Sequence, residues 1–137
     1  MIFSAGLEND LFGGGCHCGR VSYEVEAPDA PEVIQCNCSI CTQSGFLHLI
    51  VPVSDFRLLS GSDELTTYTF GTHTARHCFC RVCGLKSFYY PRSHPGCISV
   101  NVHCLRQNGI KLAQVRQFDG RHWEQSIVSL RDDGEET

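Results

Sequence analysis

Residues 14–19 read Gly14-Gly15-Cys16-His17-Cys18-Gly19, and residues 78–84 read Cys78-Phe79-Cys80-Arg81-Val82-Cys83-Gly84. Two thiolates separated by one or two residues reach a single ion across a tight turn, and tetrahedral zinc takes sulfur ligands at about 2.3 Å. A closed structural site needs four ligands. Cys16 and Cys18 from one segment, with Cys80 and Cys83 from a distant one, supply them and tie the two segments together. Gly84 suits the turn by which backbone amides approach the sulfurs. Such a site contributes on the order of 10 kcal/mol to folding, because the unfolded chain has no preformed site.

A third cluster, Cys36-Asn37-Cys38-Ser39-Ile40-Cys41, holds three thiols in one segment. Three protein ligands and one open position is how catalytic zinc is usually held, so Cys36, Cys38 and Cys41 are candidate ligands of a second, catalytic zinc. The alternative is a second structural site completed by His48, Cys78, Cys97 or Cys104. Cys78 repeats the C-x-C-x-x-C spacing of residues 36–41, so it is either a ligand or a side chain packed under a sheet on the same face as Cys80. Cys97 and Cys104 are isolated and read as small buried apolar residues. Of the seven histidines, His17, His73, His77 and His103 lie near cysteines or strand ends. Any of these lining the second zinc could move a proton near neutral pH. The sequence offers no nucleophilic triad and no phosphate-binding glycine loop, since Gly13-Gly14-Gly15 precedes a C-x-C rather than a helix with lysine.

At 137 residues the chain is the size of one domain, and its ten cysteines fall just under the density of a disulfide scaffold. The first fifteen residues carry Glu8 and Asp10 and lack both a basic start and a long apolar stretch, so no secretory signal is expected. Phe46 to Val53, the longest apolar run, contains His48 and Pro52 and is far short of the ~20 residues of a spanning helix. The expectation is a soluble, cytoplasmic protein with no membrane partner, in a reducing compartment where clustered cysteines bind metal more often than they pair. Net charge is −4, with nine acids against two bases over residues 1–68 and two acids against nine bases over residues 69–131. That basic half could receive a carboxylate-bearing small molecule, an acidic polymer or nucleic acid. No like-charge block exceeds two residues and no aromatic-basic repeat occurs, which argues against a dedicated nucleic-acid binder.

Short strands separated by turn residues dominate the rest, so the fold class is mainly β. Val21, Tyr23 and Val25 alternate with Ser22, Glu24 and Glu26, the period of a half-buried strand. Further strands are expected at Val33 to Cys36, Phe46 to Val51, Phe56 to Leu59, Leu65 to Phe70, Arg76 to Phe79, Lys86 to Tyr90, Ile98 to His103 and Leu112 to Phe118. After Asp119-Gly120, Trp123, Ile127 and Leu130 recur at intervals of four and three, which predicts a short C-terminal helix. The expected organisation is a leader over 1–12, one domain over 13–131 and an acidic tail over 132–137.

Gly14 to Gly19, Cys36 to Cys41 and Phe79-Cys80-Arg81-Val82-Cys83-Gly84, together with Val51-Pro52 and Phe56 with Leu58 before Gly61, resemble the glutathione-dependent formaldehyde-activating enzyme family. Thr66 to Phe70, Ser87 to Ser93 and His103-Cys104-Leu105 look most like its centromere protein V branch. The resemblance implies a β-tent (Mss4-like) fold of short antiparallel strands, with a structural zinc on Cys16, Cys18, Cys80 and Cys83. It implies a second zinc on Cys36, Cys38 and Cys41, two zinc ions per chain, with glutathione arriving at or near the open position. The implied activity is that of a carbon-sulfur lyase run in reverse, in which glutathione thiol and formaldehyde give S-hydroxymethylglutathione. The alternative implied by the centromere protein V branch is a non-catalytic zinc-stabilised binding module, with a nucleic-acid or cytoskeletal partner and a nuclear location.

Overall fold

The structure, a computed structural model, describes residues 9–28, 30–106 and 114–135. Among these the fold is mainly β, as expected. One sheet holds three strands in the order β1-β2-β5: β1 (Asn9–Gly15), β2 (Ser22–Pro28) and β5 (Phe56–Ser60). The other holds seven: β3 (Glu32–Cys36), β4 (Leu47–Pro52), β6 (Leu65–Tyr68), β7 (Arg76–Cys80), β8 (Phe88–Tyr90), β9 (Cys97–Asn101) and β10 (Gln114–Phe118). Their order is β10-β3-β4-β9-β8-β7-β6. The described residues also include two α-helices, α1 (Ser39–Ser44) and α2 (Trp123–Glu135), and four short 3-10 turns.

Alternation sorts the side chains of each strand onto two faces. In β2, Tyr23, Val25 and Ala27 are buried while Ser22, Glu24 and Glu26 are half-buried. These residues pack with Phe12 of β1 against Leu49, Val51, Cys78, Phe88, Ile98 and Val100 of the larger sheet, forming the main core. Tyr23 and Phe88 meet edge to face at 5.7 Å, and the Tyr23 hydroxyl donates to the Ser87 carbonyl at 3.0 Å, so even its polar end is satisfied. The intervening residues of the larger sheet, Ile34, His48, Ser99, Tyr89 and His77, therefore share its other face. There α2 sets Ile127 and Leu130 against Phe118, in a second small core that includes Trp123 and Ile34.

Several local expectations are corrected. The strand pairs are antiparallel as expected except one: β10 runs parallel to β3, with Val115 opposite Val33 and Phe118 opposite Cys36. Parallel partners need a long crossover, and a strand pattern carries no sign of direction. Strand β1 takes in Asn9 to Phe12, residues read as leader, because they pair with Val25 to Pro28 of β2. Helix α1 was not expected, since Ser39-Ile40-Cys41-Thr42-Gln43-Ser44 has no apolar period. It closes on Gly45, whose left-handed backbone (φ 65°) directs its N–H to the Cys41 carbonyl at 3.0 Å. The C-terminal helix is present where its pattern placed it, but it runs through 132–135, which were read as tail. Leu112 and Ala113, expected at the start of the last strand, lie outside the described residues. Three strands are shorter than expected: β6 ends at Tyr68, β8 begins at Phe88 rather than Lys86, and β9 ends at Asn101 where the chain enters a 3-10 turn.

Candidate functional site

Turns at strand ends bring the first four thiols together. After β1 the chain reverses at Cys16, whose N–H donates to the Val21 carbonyl at 3.0 Å, with Gly19 (φ 87°) in the turn. After β7 the same device recurs: the Gly84 N–H donates to the Cys80 carbonyl at 2.8 Å. The thiols of Cys16, Cys18, Cys80 and Cys83 all lie within 4.8 Å of one another. Cys18 Sγ is 3.6 Å from both Cys16 Sγ and Cys80 Sγ, close to the ~3.8 Å edge of a zinc–sulfur tetrahedron. Backbone amides of Val21, Val82 and Cys83 donate to the sulfurs of Cys16 and Cys80 at 3.3 to 3.5 Å. The donor set, spacing and amide cradle fit a closed zinc site that would staple the small sheet to the large one.

Cys36 ends β3, Cys38 precedes α1 and Cys41 lies in its first turn; their thiols also fall within 4.8 Å of one another. Among the described residues no fourth His, Cys, Asp or Glu joins them at that range. Contacts with Cys36 and Cys41 draw the Cys38 thiol down to about 2, while contacts with Cys36 and Cys38 push Cys41 far up and contact with Cys38 raises Cys36. Three thiols this close ionise one at a time without a cation. A divalent ion is what allows all three to be thiolates, so this group also fits a metal.

His48 lies behind Cys41. Its Nε2 is 3.1 Å from Cys41 Sγ, and its Nδ1 is 2.9 Å from Ser99 Oγ and 3.4 Å from the Tyr89 hydroxyl. Both ring nitrogens are engaged, Nδ1 by two hydroxyls and Nε2 by the Cys41 sulfur, which fixes the plane of the ring. His48 thus touches one thiol of the group without joining it. Cys78 faces the main core, with Thr67 Oγ1 3.8 Å from its sulfur, and Cys97 and Cys104 stand apart; none belongs to either thiol group.

The parallel pairing of β10 with β3 places residues 119–121 against this second group. Asn37 Nδ2 donates to Asp119 Oδ1 at 3.0 Å, and Arg121 donates through N to Asn37 Oδ1 and through Nε to the Asn37 carbonyl, both at 3.1 Å. Gly120 has no room for a side chain: a Cβ there would overlap Cys36 Sγ and lie 2.8 Å from Cys38 Cβ. Gly120→Ala is therefore expected to weaken metal binding at this group by about 10–100-fold, with the other group still loaded. Competition with a coloured chelator would resolve the two affinities.

A pocket of about 450 Å³ opens over Cys36, Cys38 and Cys41, within the size range that holds small organic ligands. His48, His77 and Tyr89 form part of its wall, and Arg92 and Arg121 also line it. The Arg92 guanidinium lies 3.5 Å over the Trp123 ring and is 2.8 Å from Glu124. Burial, with Lys86 nearby, holds both His48 and His77 down at about 4. The unfolded imidazoles take up protons from about pH 6.5, the folded ones only near 4. Stability from this pair is thus complete above pH 6.5 and lost as pH falls towards 4. Neither ring should show a titration step between pH 5.5 and 8 in histidine NMR spectra.

All seven cysteines expected as ligands fall into the two thiol groups, but the sequence did not choose among the histidines. It named His77 beside His17, His73 and His103, and named His48 as a possible fourth ligand. Lys86 carried no signal beyond its position in an expected strand.

The geometry defines a class: a β-sheet protein with one closed four-thiol group and one three-thiol group open to a pocket. Residues 11–120 match the profile of the family described as glutathione-dependent formaldehyde-activating enzyme, and the chain belongs to that family. A crystal structure of a Rhodobacter sphaeroides protein, a structural genomics target, is similar at 38% identity and a TM-score of 0.66. The match covers 77% of this chain and 98% of that one. No helix among the described residues is long and apolar enough to cross a membrane.

Proposed function

We propose that this protein is a zinc-dependent enzyme that adds the thiol of glutathione to formaldehyde, giving S-hydroxymethylglutathione, a carbon-sulfur lyase reaction run in reverse. The observation that carries this reading is the three-thiol group at a pocket of about 450 Å³, with no fourth protein donor among the described residues. Cys16, Cys18, Cys80 and Cys83 would hold a structural zinc, and Cys36, Cys38 and Cys41 would hold a second. Bound there, zinc supplies a Lewis acid that lowers the pKa of an incoming thiol from about 8.5.

The chain's own residues do the rest. His48 is hydrogen-bonded to Cys41 and fixes its orientation, and Gly120 leaves the space in which the three sulfurs converge. Arg121 gives the pocket positive charge suited to a carboxylate of glutathione, while Arg92 beside it is paired with Glu124. The free thiols of all ten cysteines are compatible with a reducing cytoplasm. Glutathione should bind at millimolar concentration or better, and its S-methyl derivative at least tenfold more weakly. Equal binding of the two would favour the non-catalytic module.

A further inference from the structure

His77 holds no place in either thiol group, yet it lines the same pocket as Cys38 and Cys41. It is 4% exposed and its ring is fixed by stacking on Tyr89, at 4.7 Å and 11°, and on Phe70, at 5.5 Å and 23°. Lys86 Nζ sits 3.0 Å from its Nδ1. The same Nζ lies over the rings of Phe46 and Tyr89 at 4.9 and 4.7 Å, and two aromatic faces favour the ammonium form. An ammonium has three hydrogens to give and no lone pair, so Nδ1 must accept. The neutral imidazole then carries its single hydrogen on Nε2, the nitrogen for which the described residues provide no hydrogen-bond partner. A fixed neutral N–H of this kind polarises a carbonyl oxygen without surrendering its proton.

We infer that His77 is a catalytic residue whose Nε2–H holds the carbonyl oxygen of a small aldehyde in this pocket, and that Lys86 positions it by occupying Nδ1. This rests on the thiol-addition reading of the pocket. In the step, the glutathione sulfur bonds to the carbonyl carbon and the C=O π pair becomes an oxygen lone pair. The new alkoxide accepts from Nε2–H and takes its proton from water. The thiol proton has already passed to solvent on binding, so thiol plus aldehyde gives the hemithioacetal with no oxidant or reductant. In reverse, the same N–H holds the oxygen while the carbon–sulfur bond breaks.

The zinc-loaded protein provides two independent readouts. Histidine nitrogen NMR of the wild type should show His77 protonated at Nε2 and bare at Nδ1, with that preference lost in Lys86→Met. Exchange NMR with labelled formaldehyde and glutathione should show His77→Phe, which keeps a ring in the stack, slowed about 100-fold in the catalysed part of the exchange. Glutathione affinity should change less than twofold in that variant, and His77→Gln, which places an N–H near Nε2, should recover at least a tenth of the wild-type rate. A wild-type His77 protonated at Nδ1 would overturn the proposal, as would unaltered exchange in His77→Phe with glutathione still bound. Failure of the wild type to bind glutathione would instead overturn the thiol reading, and this proposal with it.

Discussion

Cys80→Ser is expected to yield a chain that does not fold. Cys80 is fully buried at the end of β7, its sulfur 3.6 Å from Cys18 and approached by the amides of Val82 and Cys83. A structural zinc contributes on the order of 10 kcal/mol, and whole domains are stable by only about 5–15 kcal/mol, so losing this site removes most of the margin. The effect is specific to the ligand set. Cys78→Ser, two residues away on the same buried face but outside both thiol groups, should cost only about 1–3 kcal/mol, the usual cost of a buried hydroxyl. Circular dichroism and metal analysis of the two variants side by side check this. A Cys80→Ser protein that melts cooperatively near the wild-type temperature would remove the first group from the account.

Cys38→Ala should behave in the opposite way. Its sulfur meets the backbone N–H groups of Cys41 and Ile40 in the first turn of α1, so its removal should cost about 1 kcal/mol, as a lost cap does, and the main core lies on the other face of the sheet. The variant should fold, carry about one zinc per chain rather than two, and lose glutathione binding by more than 100-fold. Two remaining thiols cannot hold a zinc ion tightly while leaving a defined position for a third sulfur. Elemental analysis together with calorimetry reads both changes. Retention of two ions per chain would show that another donor closes the second group.

The contrast between these variants reflects what the sequence could express. Ligand clusters were legible because metal chemistry demands short spacings: C-x-C and C-x-x-C put donors on one turn wherever the turn sits in the fold. Strand faces were legible for a similar reason, since a period of two assigns Tyr23 and Val25 to one side of β2 regardless of partners. What could not be read was lateral order. His77, Tyr89 and Ser99 occupy successive positions across β7, β8 and β9, and Tyr89 and Ser99 both lie near His48, but nothing in three separate strands announces that they will be neighbours. The parallel pairing of β10 with β3 was hidden for the same reason, and with it the role of Gly120. A glycine after an aspartate reads as a turn signal; its service as a space for Cys36 Sγ depends on Phe118 standing opposite Cys36. Helix α1 was missed because its residues are held by flanking contacts rather than by a periodic apolar face.

On this reading glutathione enters the pocket through its sulfur and would be held there as thiolate by the second group. A free thiol with pKa near 8.5 is almost wholly protonated at pH 7, so binding in this way must expel its proton. Calorimetric titration of the zinc-loaded protein with glutathione, in two buffers of different ionisation enthalpy, counts that proton directly. The account predicts release of about one proton per glutathione bound at pH 7. Binding with no proton release would contradict it.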